Sequence, residues 1–182
     1  MVMSTQAAPG ELERVRDFVN TLDVESGAEA LSTPEALRAW LQDQGFSPGR
    51  SATRADLVSA RRLREAMRAL LLENNGLSVR KEAALTLNRT AARAHVGLRF
   101  DSGGEVRLEP AARGVDAALG RLLAIAASAM ADGTWTRLKA CRADDCHWAF
   151  YDHARNHSRH WCSMAVCGNR TKARTYRRRH AP

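Results

Sequence analysis

Apolar residues recur at helical spacing through much of the chain. Leu12, Val15, Val19 and Leu22 fall on one face of an amphipathic helix over residues 11–22. Thr33-Pro34-Glu35 reads as the cap and first turn of a second helix, which runs through Trp40 and Leu41 to a stop at Gly45. Thr53 caps a third, from Arg54 to about Asn74, whose Leu57, Ala60, Leu63, Met67, Leu70 and Leu71 form an apolar stripe. Arg61, Arg62, Arg64 and Arg68 are expected on its solvated face. A fourth helix is expected over residues 78–94, and then the period drops to two. Val96, Leu98 and Phe100, then Val106 and Leu108, alternate around Asp101-Ser-Gly-Gly104, which predicts a hairpin. Gly114 to Ala131 is nearly all Ala, Leu and Ile, and predicts the most buried helix, ended by Asp132-Gly133.

Beyond that point the pattern is set by chemistry. All four cysteines lie at Cys141-x4-Cys146 and Cys162-x4-Cys167, with none in the first 140 residues. Two evenly spaced pairs joined by a loop suit one tetrahedral ion that takes two thiolates from each of two turns, as structural Zn2+ does. His147, His153, His157 and His160 fall between the pairs, and any of them could replace a cysteine as ligand. Disulfides, free thiols and a redox-regulated zinc site are the other readings of the same thiols. Residues 148–152 are aromatic and suit a short strand beside the metal; Gly168 and Asn169 suit a turn that starts a helix, with Asn169 as cap. On that helix Arg170, Arg174, Arg177 and Arg178 share one stripe, Ala173 and Tyr176 face another side, and Lys172 and Arg179 flank the docking side.

The expected fold is mainly α with a small β-hairpin (α+β): a flexible N-terminus at 1–10, a helical unit at 11–136, and a small treble-clef-like four-cysteine zinc module at 137–182. The module is too short to bury a core of its own, so one Zn2+ per chain would supply its folding free energy, and chelation should unfold that end first.

Net charge sharpens the picture. The chain carries +8, and residues 141–182 hold nine Lys and Arg against three Asp and Glu, whereas residues 1–140 hold 19 against 17. A basic patch concentrated at the metal end points to phosphate, in nucleic acid before an anionic membrane. The start of the chain lacks an apolar leader, and no stretch is expected to approach the ~18 apolar residues of a membrane span, so a cytoplasmic location is expected.

Three runs then carry a resemblance: Cys146-His-Trp-Ala-Phe-Tyr-Asp152, Ser158-Arg-His-Trp-Cys162-Ser-Met164, and Cys167-Gly-Asn-Arg170-x-Lys172-x-Arg174-x-Tyr176-Arg177. Together they resemble the CGNR zinc finger, named for its Cys-Gly-Asn-Arg tetrapeptide. Upstream, Phe18-Val-Asn-Thr21, Leu31-Ser-Thr-Pro-Glu-Ala-Leu37 with Trp40-Leu41, and Leu63-Arg64-Glu65-Ala66 resemble the helical ABATE domain that precedes that finger in bacterial stress-induced transcription regulators. The resemblance implies zinc on Cys141, Cys146, Cys162 and Cys167, and DNA binding by the finger. The chain departs from the family's usual pattern in Asp152-His-Ala-Arg-Asn156, where Asp-x-Ser-Arg-Asn is common, and in Arg159-His160-Trp161-Cys162, where Arg-Arg-Trp-Cys is common. His160 would make a phosphate contact pH-dependent.

These readings converge on a transcriptional regulator, cytoplasmic and nucleoid-associated, whose partner is DNA. The expected DNA contacts are Arg155, Asn156, Arg159 and His160 in the loop and Arg170, Lys172, Arg174, Arg177, Arg178 and Arg179 on the helix, with Arg170 and Arg174 placed to read bases. The helical unit would sense or dimerise, with Asn20, Thr21 and Trp40 as a pocket for a small-molecule effector. The alternative is an RNA-binding or ribosome-associated zinc protein, for which Trp148, Tyr151 and Trp161 would have to be exposed for stacking. An enzyme is not expected, because four thiolates leave zinc no open position and no nucleophile and base stand together in the sequence.

Overall fold

The helix starts are written in the capping residues. Thr33 Oγ1 accepts from Ala36 N at 3.2 Å ahead of Pro34, and Thr53 forms a reciprocal box in which its Oγ1 accepts from Asp56 N while Asp56 Oδ2 accepts from Thr53 N. In the computed structural model, which describes residues 7–78 and 81–180, the order is α1 (Leu12–Val19), α2 (Pro34–Asp43), α3 (Arg54–Glu73), α4 (Lys81–Ala94), β1 (Val96–Phe100), β2 (Val106–Pro110) and α5 (Gly114–Ala131). A 3-10 turn (Thr134–Arg137), β3 (Leu138–Ala140), β4 (Ala149–Tyr151), a π-type turn (Met164–Gly168) and α6 (Asn169–Arg179) complete it. The fold is mainly helical with two small antiparallel sheets, and the four cysteines sit together at its C-terminal end.

The first helix stops three residues earlier than its apolar spacing suggests. Leu22 leaves the helix to bridge Glu29 across a turn closed by Gly27, whose φ of +74° is the left-handed region that favours glycine. The predicted start of α4 at residue 78 runs into residues 79 and 80, which lie outside the described residues. The hairpin forms as expected, with Leu98 opposite Leu108 and Phe100 opposite Val106.

α5 runs through the middle of the core and packs on α1, α3, α4 and β2. It is also 18 residues long with a mean hydropathy of 1.4, so it has the length and composition to cross a membrane. The expectation that no stretch approaches that length is therefore corrected. Leu119, Leu122 and Ile125 of this helix are buried among Val15, Phe18, Leu63 and Met67, which is what its apolar length serves here.

Two of the four arginines of α3 overturn the expected solvated face. Arg64 and Arg68 are each only 3% exposed. Arg64 pairs with Glu29 at 2.7 Å and donates to Thr21 Oγ1, while Arg68 donates to Val19 O at 2.7 Å and to His147 O at 2.8 Å. Charge is buried here because every donor finds an acceptor that an apolar side chain would strand. Arg61 is half-buried and binds Leu31 O; Arg62 is exposed, as predicted.

Candidate metal centre and basic surface

β3 and β4 face two ways, as alternation requires. Leu138 and Ala140 pair with Tyr151 and Ala149, and all four join the helical core; Lys139 and Phe150, paired between them, face the cysteine side. Cys141 follows β3 directly, and its N–H donates to Trp148 O at 2.9 Å, closing the first turn. Cys146 N donates to Ala143 O, and His147 takes a left-handed φ of +51° to lead the chain back into β4. The second turn is capped by Ser163, whose Oγ accepts from Val166 N. Gly168 is helical, and a Cβ there would meet only the thioether end of exposed Met164, 2.5 Å from its Sδ, which can swing aside. Asn169 does not cap α6 as predicted. It is already helical, and its amide donates to Ala165 O.

The four Sγ atoms are buried and lie within 4.8 Å of one another, with Cys146–Cys162 and Cys162–Cys167 at 3.6 Å. A tetrahedron of Zn–S bonds of about 2.3 Å has S···S edges of about 3.8 Å, whereas a disulfide needs about 2.05 Å. All four thiols are free, and the donor set fits one Zn2+. Their mutual electrostatics agree. Hydrogen bonds from Cys146 and Cys162 pull the Cys141 thiol down to about 2, and in turn the Cys141 thiolate and burial push Cys146 up to about 12. Packed together, the sulfurs accommodate one anion readily and four only with a cation among them. The histidines are placed elsewhere: His153 Nε2 reaches Ala7 O, His160 Nδ1 reaches Asn75 Oδ1 at 2.8 Å, and His157 is exposed.

The module is fastened to the helices by side chains that sequence reasoning did not select. Asn74 Nδ2 donates to Trp135 O and Leu138 O, and Asn75 Nδ2 to Ala140 O and His160 O. Arg142 Nε donates to Asn75 O. The Lys139–Asp152 pair, 2.8 Å apart and buried, ties β3 to the loop after β4: Asp152 also accepts from Ala154 N and Arg159 N. Burial pushes the Asp152 carboxyl up, but Lys139 and those two amides outweigh it and hold it below the usual carboxylate range. The signal for Asn74 and Asn75 was present as an Asn-Asn-Gly helix stop; that its amides would reach 60 to 85 residues along the chain was not.

The cations chosen from sequence divide into two groups. Arg159 donates to Cys162 O and lies over the Phe150 ring at 5.1 Å, and half-buried His160 is pushed below the usual imidazole value by burial, then by Arg142 and Lys139. Arg170 pairs with Glu25, with Asp145 at 3.4 Å and with Cys167 Sγ at 3.6 Å; Arg174 pairs with Asp145 at 2.7 Å. The Glu25 contact raises the Arg170 guanidinium further above its ordinary value. Arg155, Lys172, Arg177, Arg178 and Arg179 are exposed and have no partner among the described residues. Asn156 is exposed and accepts from Ser158 Oγ. α6 rests on half-buried Thr171 and Thr175, while Ala173 and Tyr176, expected on the docking side, are exposed.

The residues expected to line a pocket are each held by the fold. Asn20 exchanges two hydrogen bonds with the Ala149 backbone, Thr21 is bound to Phe18 O and Arg64, and Trp40 packs on Phe18 with ring centroids 5.4 Å apart. Of the aromatics near the metal, Phe150 and Tyr151 are buried and Trp148 and Trp161 are half-buried.

Two family models match the chain in the order that the folded parts follow. The model for ABATE, described as "Putative stress-induced transcription regulator", matches residues 13–133, and that for the CGNR zinc finger matches residues 137–180. No curated protein sequence matches.

Proposed function

The chain belongs to the ABATE family, and from that premise we propose that it is a zinc-containing transcription regulator that binds duplex DNA through its C-terminal module. The observation that carries this reading is the set of cations on the module that have no partner among the described residues, Arg155, Lys172, Arg177, Arg178 and Arg179. On the same helix Arg170 and Arg174 are answered, by Glu25 and Asp145. A run of unanswered charge on one short helix and one loop suits an external polyanion, and the duplex backbone, with one charge per ~1.7 Å of axis, is such a partner. Phosphate contact therefore falls to those five, with Asn156 beside them. Arg159, His160, Arg170 and Arg174 frame the module, which leaves base reading to side chains that DNA would have to draw from their present partners. Buried Phe150 and Tyr151 favour a duplex over stacked single strands. A cytoplasmic, nucleoid-associated location and a helical unit that senses or dimerises belong to the same reading.

One observation favours RNA or single-stranded DNA: Tyr176 is 65% exposed on the basic helix and stacks on His180 at 4.1 Å. Titrating a random duplex pool and a random single-stranded pool against the zinc-loaded protein at two salt concentrations separates the two. Five phosphate contacts give a slope of log K against log salt of about −4.5 on duplex, and replacing Arg177, Arg178 and Arg179 by alanine brings it to about −2. A flat salt dependence on duplex would sink the DNA reading. Tight binding of the single-stranded pool, lost on Tyr176→Ala, would replace it by the RNA reading.

A further inference from the structure

Where α4, α5 and the β1–β2 hairpin meet at Gly120 they leave no room for a single methyl group. A Cβ there would lie 2.4 Å from Ala94 Cβ, 3.0 Å from Pro110 Cβ and 3.3 Å from Val96 Cγ2. Further along α5 the same elements part. Ala91 of α4, Ala127 of α5 and Leu108 of β2, with Met67 of α3 and Trp135 at the far end, line a cavity of about 240 Å³ that opens to solvent beside Asn88. The space is local, because a tight joint bounds it on one side and the fully buried Met67 floors it. Alanines stand where leucines would fill it.

The lining decides the chemistry of an occupant. No charged residue contributes to the wall, so an ion would lose its hydration without compensation. Two lining residues carry polar groups without a protein partner among the described residues: Trp135, whose indole N–H stays open to solvent although the residue is buried, and exposed Asn88 with its amide. Sites for drug-sized ligands run from about 300 to 1,000 Å³, so this one takes something smaller, of roughly ten to fifteen non-hydrogen atoms.

We propose that this cavity is a binding site for a small, neutral aromatic molecule carrying one hydrogen-bond acceptor, whose oxygen takes the place of water on the indole N–H of Trp135. Its position gives such a ligand a route to the metal. The carbonyl of Trp135 accepts from Asn74 Nδ2, the same amide donates to Leu138 O, and Leu138 opens the strand that leads into Cys141. The site stands on the helical unit alone and does not depend on DNA binding.

The test is calorimetric titration of the full-length zinc-loaded protein, without DNA, with 2-acetylnaphthalene and with naphthalene, following tryptophan fluorescence in parallel. One molecule of 2-acetylnaphthalene binds per chain, about fivefold more tightly than naphthalene. Ala127→Phe, which fills the cavity, weakens both by at least about tenfold. Ala91→Leu, from the opposite wall, does the same if the first variant does not fold. Trp135→Phe removes the preference for the acetyl compound and leaves naphthalene binding in place. Zinc content and thermal melting verify that each variant is folded. Absence of saturable binding by either compound overturns the proposal, as does unchanged binding in a folded, zinc-loaded cavity-filling variant.

Discussion

Arg68 reaches three parts of the chain at once: the end of α1 at Val19 O, its own helix at Glu65, and the metal module at His147 O. Removing it strands buried carbonyls as well as a charge, so Arg68→Ala is expected to cost about 3–5 kcal/mol in urea denaturation. Arg62→Ala, nearly two turns away and exposed, should stay within about 0.5 kcal/mol. The helical wheel placed both on the solvated face because arginine beside an apolar stripe is usually solvated; its distant carbonyl acceptors have no sequence signature. Glu29 supplies the pH dependence. Burial pushes its carboxyl up, but hydrogen bonding and charge from Arg64 outweigh burial and hold it below the ordinary 4.5. A carboxylate depressed in the folded state contributes stability above its unfolded pKa and loses it as pH falls through the folded one. Stability of the wild type should therefore fall below about pH 4.5, and Glu29→Gln should be weaker at neutral pH with a flatter acid limb. Equal acid limbs in the two proteins would rule this pair out as the source.

Among the elements, α5 was legible and α6 only in part, for a physical reason. α5 is defined by apolar continuity, which a sequence displays. Its Gly120 looks like a defect, since alanine in a helix interior is favoured by about 1 kcal/mol. Yet a methyl group would meet the Cβ atoms of Ala94 and Pro110, neither of which can swing aside. Overpacking of about 1–3 kcal/mol outweighs the propensity gain, so Gly120→Ala should lower the melting temperature. A rise would show that the hairpin yields. α6 has no buried residue, and its contact surface is two threonines plus ion pairs from Arg170 and Arg174 to Glu25 and Asp145. Apolar periodicity therefore misplaced its docking side, which charge holds. Exposed pairs of this kind contribute about 0–1 kcal/mol each. The double variant Glu25→Gln, Asp145→Asn should leave the global melt almost unchanged while amide exchange in α6 quickens. Unaltered exchange there would mean that the threonines alone hold the helix.

At the scale of the whole molecule, the metal site was legible from cysteine spacing taken together with the family resemblance, and the attachment of its module was not. Treated as a short C-terminal appendix, the module should melt first on chelation. The folded chain argues otherwise, because Leu138, Ala140, Ala149 and Tyr151 belong to the helical core. Asn20, Arg68, Asn74 and Asn75 bind its backbone from three helix ends or faces. Structural zinc contributes on the order of 10 kcal/mol to small modules, comparable with the ~5–15 kcal/mol that holds a whole domain. Losing it should release the chain after Cys141, β4 included, and with it β3's pairing and the apolar faces and hydrogen bonds that close one side of α3. A strong chelator should then shift a single calorimetric transition downwards, with the near-ultraviolet signals of Trp40 in the helical unit and Trp161 in the module lost together. Separate transitions, with Trp40 keeping its signal after zinc is gone, would show that the helical core closes without β3 and β4 and that the module is an appendix after all.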